Sequence, residues 1–379
     1  MRIGLVCESC DRRTGIGRIV NSLGSVFLDN GHEVICASQR FEDVDRKISR
    51  YSIPHLTSSN GLNKLLFRFG MPAIRGLKAD IVHTFGVGRG ADVVSAQSCH
   101  HAGHSLLRCY RNQVLERGGF GFYDWVSLGD ERALLNAPST RAIIAVSQLV
   151  RSQIEEVYRI DPRKISVIPN GVDYSVFNEL RTRDDRLDLQ RTLGFPPDSF
   201  NLLFVGNEFG RKGLTAVLRA ISLLRDKELR LVVVGAGQRR TYEVLAAELR
   251  VSESVTFTGS VPNPERFYVA ADTLILPSLY EPFGMVVIEA MAAGLPVITS
   301  KACGATEGMV HGNHIYQVDD PASAEEVAEA IATLKANTLL RQNIAAGGLE
   351  KAKEFAWESV AQRILTVYKE ILEKKSKEH

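Results

Sequence analysis

Glu281 and Glu289 bracket the segment Pro282-Phe283-Gly284-Met285-Val286-Val287-Ile288, which leaves a strand ending at Pro277 and opens a helix. The first turn of a helix offers free N–H groups and the positive end of its dipole, a setting suited to phosphate. Gly284 lets backbone come close to a ligand. The carboxylates cannot bind phosphate, but they can accept hydrogen bonds from neutral hydroxyls such as those of a sugar or ribose. The alternative is a charged loop residue and a solvated helix glutamate. Gly15-Ile16-Gly17-Arg18 also lies between a strand and a helix, yet Val20 stands where a dinucleotide fingerprint needs its third glycine. Gly15 and Gly17 therefore read either as site residues or as glycines of a tight turn.

Cys99-His100-His101-Ala102-Gly103-His104 holds good zinc ligand types without the usual ligand spacing, so metal ligands and ordinary structural histidines both stay open. Cys7-Glu8-Ser9-Cys10 is a lone CxxC with no thioredoxin-like surroundings. From Asn60 to Lys78, Leu62, Leu65, Leu66 and Phe69 recur at helical spacing beside Lys64 and Arg68. That is either a core-facing surface helix or a basic amphipathic face for anionic lipid. Phe120, Phe122, Tyr123 and Trp125 are candidate neighbours of an acceptor.

The elements that must position these residues alternate. Strands are expected at 3–7, 34–37, 81–83, 93–96, 142–146 and 165–168, then at 202–206, 231–235, 255–257, 273–277 and 296–299. Helical stretches include 213–224, 284–293, 322–334 and 357–373. Near-continuous apolar strands suit parallel sheets buried on both faces. The expected fold is α/β, two Rossmann-like doubly wound domains. The N-terminal one spans 1–175, a charged linker 176–198, the C-terminal one 199–355, and a last helix 356–379 returns to the first.

A chain of 379 residues exceeds the size at which one core stops growing. No apolar run approaches a membrane span, and Met1–Val6 reads as a strand rather than a signal peptide. Six scattered cysteines fit a reducing cytoplasm. A net charge of +2 gives no case for nucleic acid. The first 185 residues hold 24 Lys/Arg against 20 Asp/Glu, so that half is the better candidate to face an anion.

Glu281-Pro282-Phe283-Gly284 followed by Glu289-Ala290-Met291-Ala292-Ala293-Gly294-Leu295-Pro296-Val297 resembles the signature of retaining GT-B glycosyltransferases, closest to glycosyltransferase family 4. Phe204-Val205-Gly206 through Arg211-Lys212-Gly213-Leu214, Asn30–Val34, Ile144–Ser147, Ile168–Asp173 and Val255–Gly259 agree in order, so the resemblance spans nearly the whole chain. Phe209-Gly210-Arg211-Lys212-Gly213 is similar to the form in bacterial lipopolysaccharide-core glucosyltransferases.

The resemblance implies a GT-B fold with the domains facing across a cleft, and roles by position. Arg211 and Lys212 neutralise the leaving diphosphate, in place of a metal ion. Glu281 lies beside the transferred sugar and Glu289 binds the ribose. Phe283, Gly284 and Met285 give backbone contacts at the helix start, and Gly206 belongs to the phosphate loop. Gly259 and Val261 fall where the nucleobase is held. Gly15 and Gly17 face the donor phosphate and acceptor, and His100 or His101 hydrogen-bonds the reacting sugar, with His100 the choice. The donor is a nucleotide sugar, a UDP-sugar favoured, with no further cofactor. The acceptor is a glycan or lipid-linked molecule, with peripheral contact to the inner face of the cytoplasmic membrane. Front-face retention by the departing phosphate is expected, because no enzymatic nucleophile is evident. A nucleotide-sugar epimerase and a non-catalytic membrane-surface binding protein are the alternatives. The run Lys301-Ala302-Cys303-Gly304-Ala305-Thr306-Glu307 lacks the family's usual proline before the glutamate, a departure from the family's loop.

Overall fold

The computed structural model describes all residues except 12–14, 55–75, 111–121, 184–185, 197 and 379. The chain divides into two compact units. The described residues of Met1–Gly103, Gly118–Gly171 and Trp357–His379 form the first, and those of His104–Arg117 and Val172–Ala356 form the second.

In the first unit, strands β1 (Arg2–Val6), β2 (Ser9–Asp11), β3 (Glu33–Ser38), β4 (Arg40–Glu42), β5 (Ser49–Ser52), β6 (Ile81–Thr84), β7 (Val93–Ala96), β8 (Ala142–Ala145) and β9 (Ile165–Val167) form two sheets. Seven make a sheet of order β5-β3-β1-β6-β7-β8-β9, while β2 and β4 pair with each other. Every pairing is parallel. The central strands are buried along nearly their whole length, as a sheet covered on both faces requires. Strand order reverses between β1 and β6, and ligands of such sheets bind beyond the carboxyl ends of the strands at that reversal. Helices α1 (Gly15–Asp29), α2 (His100–Cys109), α3 (Phe122–Leu135) and α4 (Gln148–Tyr158) follow strands of this unit. In α4, Ser147 caps the first turn by accepting the Val150 N–H.

The second unit contains α5 (Tyr174–Arg183) and α6 (Arg186–Leu193), then β10 (Phe200–Val205), α7 (Leu214–Leu224), β11 (Leu229–Val234), α8 (Arg239–Glu248), β12 (Val255–Gly259), α9 (Glu265–Ala270), β13 (Thr273–Leu276), α10 (Met285–Ala292), β14 (Val297–Ser300), β15 (Tyr316–Val318), α11 (Ala324–Ala336) and α12 (Thr338–Ala352). Its parallel sheet runs β12-β11-β10-β13-β14-β15, with the reversal between β10 and β13. The segment 176–198 differs from the expected linker. It supplies most of α5 and α6, which bury Phe177 and Leu189 and hold the second unit through Gln190, whose amide donates to the Ala270 carbonyl at 2.9 Å. A charged exterior concealed the buried apolar residue of each helix.

The last helix, α13 (Trp357–Glu378), belongs to the first unit and lies against α1, with Phe27 and Tyr368 rings 5.9 Å apart. Tyr368 carries its hydroxyl to Nδ1 of His83 on β6 at 2.6 Å, and Nε2 of His83 meets Ser95 Oγ on β7 at 2.8 Å. Burial alone pulls His83 down to about 3, so the ring is neutral and satisfied on both nitrogens. Tyr368→Phe strands one buried nitrogen and is expected to cost about 1–3 kcal/mol of unfolding free energy in urea titration. An unchanged midpoint and slope contradict this account of how α13 is held.

Candidate functional site

The loop after β10 and the loop after β13 meet at the strand-order reversal of the second unit. Leu279 N–H donates to the Arg211 carbonyl at 2.9 Å, stitching one loop to the other. Each loop ends in a helix whose N-cap is a glycine with positive φ, Gly213 before α7 and Gly284 before α10, and neither helix has a side-chain cap. Two sets of first-turn N–H groups therefore begin at this end of the sheet, and each attracts anions.

Between the loops lies a buried ion cluster. Lys212 Nζ stands 2.6 Å from Glu281 Oε2 and Arg211 Nη1 stands 3.3 Å from the same oxygen. The three side chains are only 14%, 10% and 10% exposed for Arg211, Lys212 and Glu281. Arg211 also donates to the Tyr280 carbonyl at 2.7 Å and, from Nε and Nη2, to Glu208 at 2.9 and 2.5 Å. Burial opposes the charge on Glu281, yet Arg211 and then Lys212 outweigh it and bring the carboxyl down to about 2. Burial likewise opposes the charge on Arg211, and Glu281 and Glu208 reverse that effect and raise its value. Glu281, expected beside the transferred sugar, has its carboxylate paired with both cations.

Two glycines make this packing possible. A Cβ on Gly206 would fall 2.3 Å from Cδ of Lys212, so the aliphatic stem of the lysine lies directly over that glycine. At Gly284, φ is +101° and a Cβ would fall 2.6 Å from Sγ of Cys303. The Cys303 thiol, pushed up to about 12 by burial and then by the charge of Glu281, donates to the Phe283 carbonyl at 2.9 Å. Ala305 N–H donates to the same carbonyl at 2.7 Å. The proline-less run 301–307 thus closes as a short 3-10 turn under Phe283, with Glu307 exposed.

Glu289 is buried on α10, and the Tyr268 hydroxyl donates to its Oε2 at 2.7 Å. Met285 is the first residue of α10. Gly259 ends β12 with φ +74° and open space where a Cβ would stand, and half-buried Val261 follows. Sequence reasoning missed Glu208, the Tyr280 carbonyl, Tyr268 and Cys303. Only Glu208 carried a local signal, a charge three residues before Arg211.

In the first unit, a cavity of about 560 Å³ opens at the β1/β6 reversal, lined by Glu8, Gly15, Arg40, Gly86, Gln97 and His100 among others. Gly15 begins α1, and Gly17 is buried within it. His100 begins α2, and its N–H donates to both Glu131 carboxylate oxygens at 3.1 Å. Tyr158 hydrogen-bonds the same carboxylate. His101 lines a different cavity, with Arg89 and Trp125. Cys99, His100, His101 and His104 do not gather as a metal-ligand set among the described residues. Of the basic stretch 60–78, residues 60–75 lie outside the described residues, as does Phe120; Trp125 is 65% exposed. No helix among the described residues is long and apolar enough to cross a membrane.

The model of glycosyltransferase family 4 matches residues 13–176, and that of glycosyl transferases group 1 matches residues 185–351. The chain is 30% identical over 304 residues to D-inositol 3-phosphate glycosyltransferase 1 of Catenulispora acidiphila, covering 76% of this chain and 69% of that one. It is 25% identical over 352 residues, 90% of each chain, to the lipopolysaccharide glucosyltransferase WaaG of Escherichia coli. A solved WaaG superposes with TM-score 0.79 at 23% identity, over 97% of this chain and 99% of that one. HepE of Anabaena, solved with UDP-glucose, superposes with TM-score 0.74 at 18% identity, over 98% of this chain and 100% of that one. Other curated relatives are longer, and the chain spans 60%, 65%, 58% and 51% of four of them.

Glu281→Gln removes the one negative charge shared by Lys212 and Arg211. Breaking such a buried pair costs about 3–5 kcal/mol, read as a lower urea midpoint at neutral pH. The folded carboxyl titrates at about 2, below its unfolded value of about 4.3. Its contribution is therefore present above about pH 4.3 and lost as pH falls toward 2. The wild type should lose stability across that window more steeply than Glu281→Gln; parallel pH profiles contradict the assignment.

Proposed function

The chain belongs to the GT-B glycosyltransferases, family 4 in its N-terminal part and group 1 in its C-terminal part, and we propose that it moves a hexose from a UDP-sugar to a hydroxyl of a glycan or lipid-linked acceptor with retention. The observation that carries this reading is the buried Arg211–Lys212–Glu281 cluster beside two helix N-termini at the sheet reversal. A leaving diphosphate needs fixed positive charge in a site shielded from water. Arg211 and Lys212 supply it without a metal ion, and Glu281 holds them in place before the donor arrives. Arg211 exchanges its bonds to Glu208, itself 62% exposed, for phosphate oxygens.

Glu289, oriented by Tyr268, accepts the ribose hydroxyls. Gly259 and Val261 flank the base, Gly206 the phosphate, and the N–H groups at Phe283, Gly284 and Met285 face phosphate and sugar. The acceptor enters the first unit's cavity, where Gly15 and Gly17 give close backbone approach and His100 bonds a sugar hydroxyl. The bond from the sugar's anomeric carbon to the phosphate oxygen breaks, and the acceptor hydroxyl attacks from the face the phosphate leaves. Its proton passes to the departing phosphate. Glucose is the first sugar to test, because WaaG is a glucosyltransferase and HepE is solved with UDP-glucose. The basic stretch 60–78 touches anionic lipid at the inner face of the cytoplasmic membrane, in service of a lipid-linked acceptor.

The test is transfer of labelled glucose from UDP-glucose to lipid-linked and free glycans, with EDTA present and the product's anomeric configuration read by NMR. Retained configuration, activity insensitive to EDTA and a fall in kcat of about 10²–10³ in Arg211→Ala are expected. Isomerised donor without transfer supports the epimerase alternative. No turnover of any nucleotide sugar with any acceptor overturns the proposal.

A further inference from the structure

Three cysteines that carry none of the roles assigned above meet in the first unit. Cys7 follows β1, Cys10 lies in β2 and Cys36 lies in β3, and all three are fully buried. Their sulfurs all lie within 4.8 Å of one another. Sequence alone shows a CxxC pair with nothing to complete it. The third thiol arrives by strand pairing: β1 runs parallel to β3 with Leu5 opposite Cys36, and Cys7 N–H donates to the Ala37 carbonyl at 3.1 Å. Cys10 is fixed separately, by the pairing of β2 with β4 that sets it opposite Phe41. Each sulfur therefore hangs from a strand or the residue directly after one, and sites built on such elements hold their geometry better than loop sites.

We propose that Cys7, Cys10 and Cys36 form a structural site for a soft divalent metal ion of the zinc type. Thiolate is the ligand such ions prefer. With zinc–sulfur bonds of about 2.3 Å, tetrahedral sulfurs stand about 3.8 Å apart, so the three need only a small contraction to close on an ion. Binding converts three thiols to thiolates and releases their protons to solvent. The zinc complex with the three thiolates then carries one net negative charge. The consequence is local. Glu8 and Ser9 lie between Cys7 and Cys10, Gln39 and Arg40 follow β3, and all four line the first unit's cavity. A metal at the thiols clamps that wall. This inference is independent of the proposed transfer reaction and places no metal at the donor phosphates.

Because the thiols are buried, the ion is acquired as the chain folds. The full chain is therefore expressed in medium supplemented with Co(II) or Zn(II) and purified under reducing, anaerobic conditions. Metal content is read by mass spectrometry and the cobalt form by absorption. The expected result is about one ion per chain, thiolate-to-cobalt charge-transfer bands, and a higher Tm for the zinc form than for metal-depleted protein. Cys36→Ser should remove the bands and most of the metal, while Cys109→Ser, at an exposed thiol, leaves both unchanged. Zinc-edge absorption on the wild type, expected to show sulfur neighbours at about 2.3 Å, keeps the test decisive if Cys36→Ser does not fold. Metal-free protein from both media, or bands that survive Cys36→Ser, overturns the site and leaves three thiols packed as small apolar side chains.

Discussion

A carboxylate buried between an arginine and a lysine is costly on its own: removing three charges from water is repaid only when each finds close partners. Glu281 meets that condition because two loops arrive at one point. Lys212 comes from the loop after β10 and Glu281 from the loop after β13, and the bond from Leu279 N–H to the Arg211 carbonyl fixes their separation. Gly206 yields the space that the lysine stem occupies, and Gly284 yields the space that Cys303 occupies. Either glycine replaced by a larger residue displaces a charged group or the turn that supports it. The cations are thus held by the fold, oriented before any ligand arrives.

Both units repeat one solution. Their parallel sheets reverse strand order beside the first strand, β1 against β6 and β10 against β13. In the second unit the reversal carries the charge cluster; in the first it carries a cavity lined by Gly15 and His100. The difference in chemistry follows from the loops, since the strands are alike. One reversal gathers two cations around a carboxylate. The other opens a cavity lined by histidine, glutamine and glutamate among apolar side chains.

Much of this was legible in the residues. Apolar runs such as Leu202–Val205 and Leu231–Val234 identify buried parallel strands, and the Glu281–Val297 block marks the helix start at the site. Strand β5, Ser49–Ser52, is exposed throughout and carries no apolar pattern, so pairing with β3 alone creates it. The helices α5 and α6 were hidden because each buries few side chains under a charged exterior. Within the site, Arg211, Lys212, Glu281 and Glu289 could be named, but their partners could not. Tyr268 reaches Glu289 from another helix and Cys303 reaches Gly284 from another loop, contacts that no local spacing encodes. Cys36 joins Cys7 and Cys10 for the same reason, through strand register.

The central claim is that the buried cationic pair of the second unit is a diphosphate site. Calorimetric titration of the full chain with UDP, GDP and ADP, in EDTA, tests it most directly, alongside Arg211→Ala and Glu289→Ala. The account predicts EDTA-insensitive binding with UDP preferred, weakened about tenfold or more by each substitution, as loss of a charge-assisted hydrogen bond requires. Absence of binding by all three nucleotides, or binding that Arg211→Ala leaves unchanged, contradicts it.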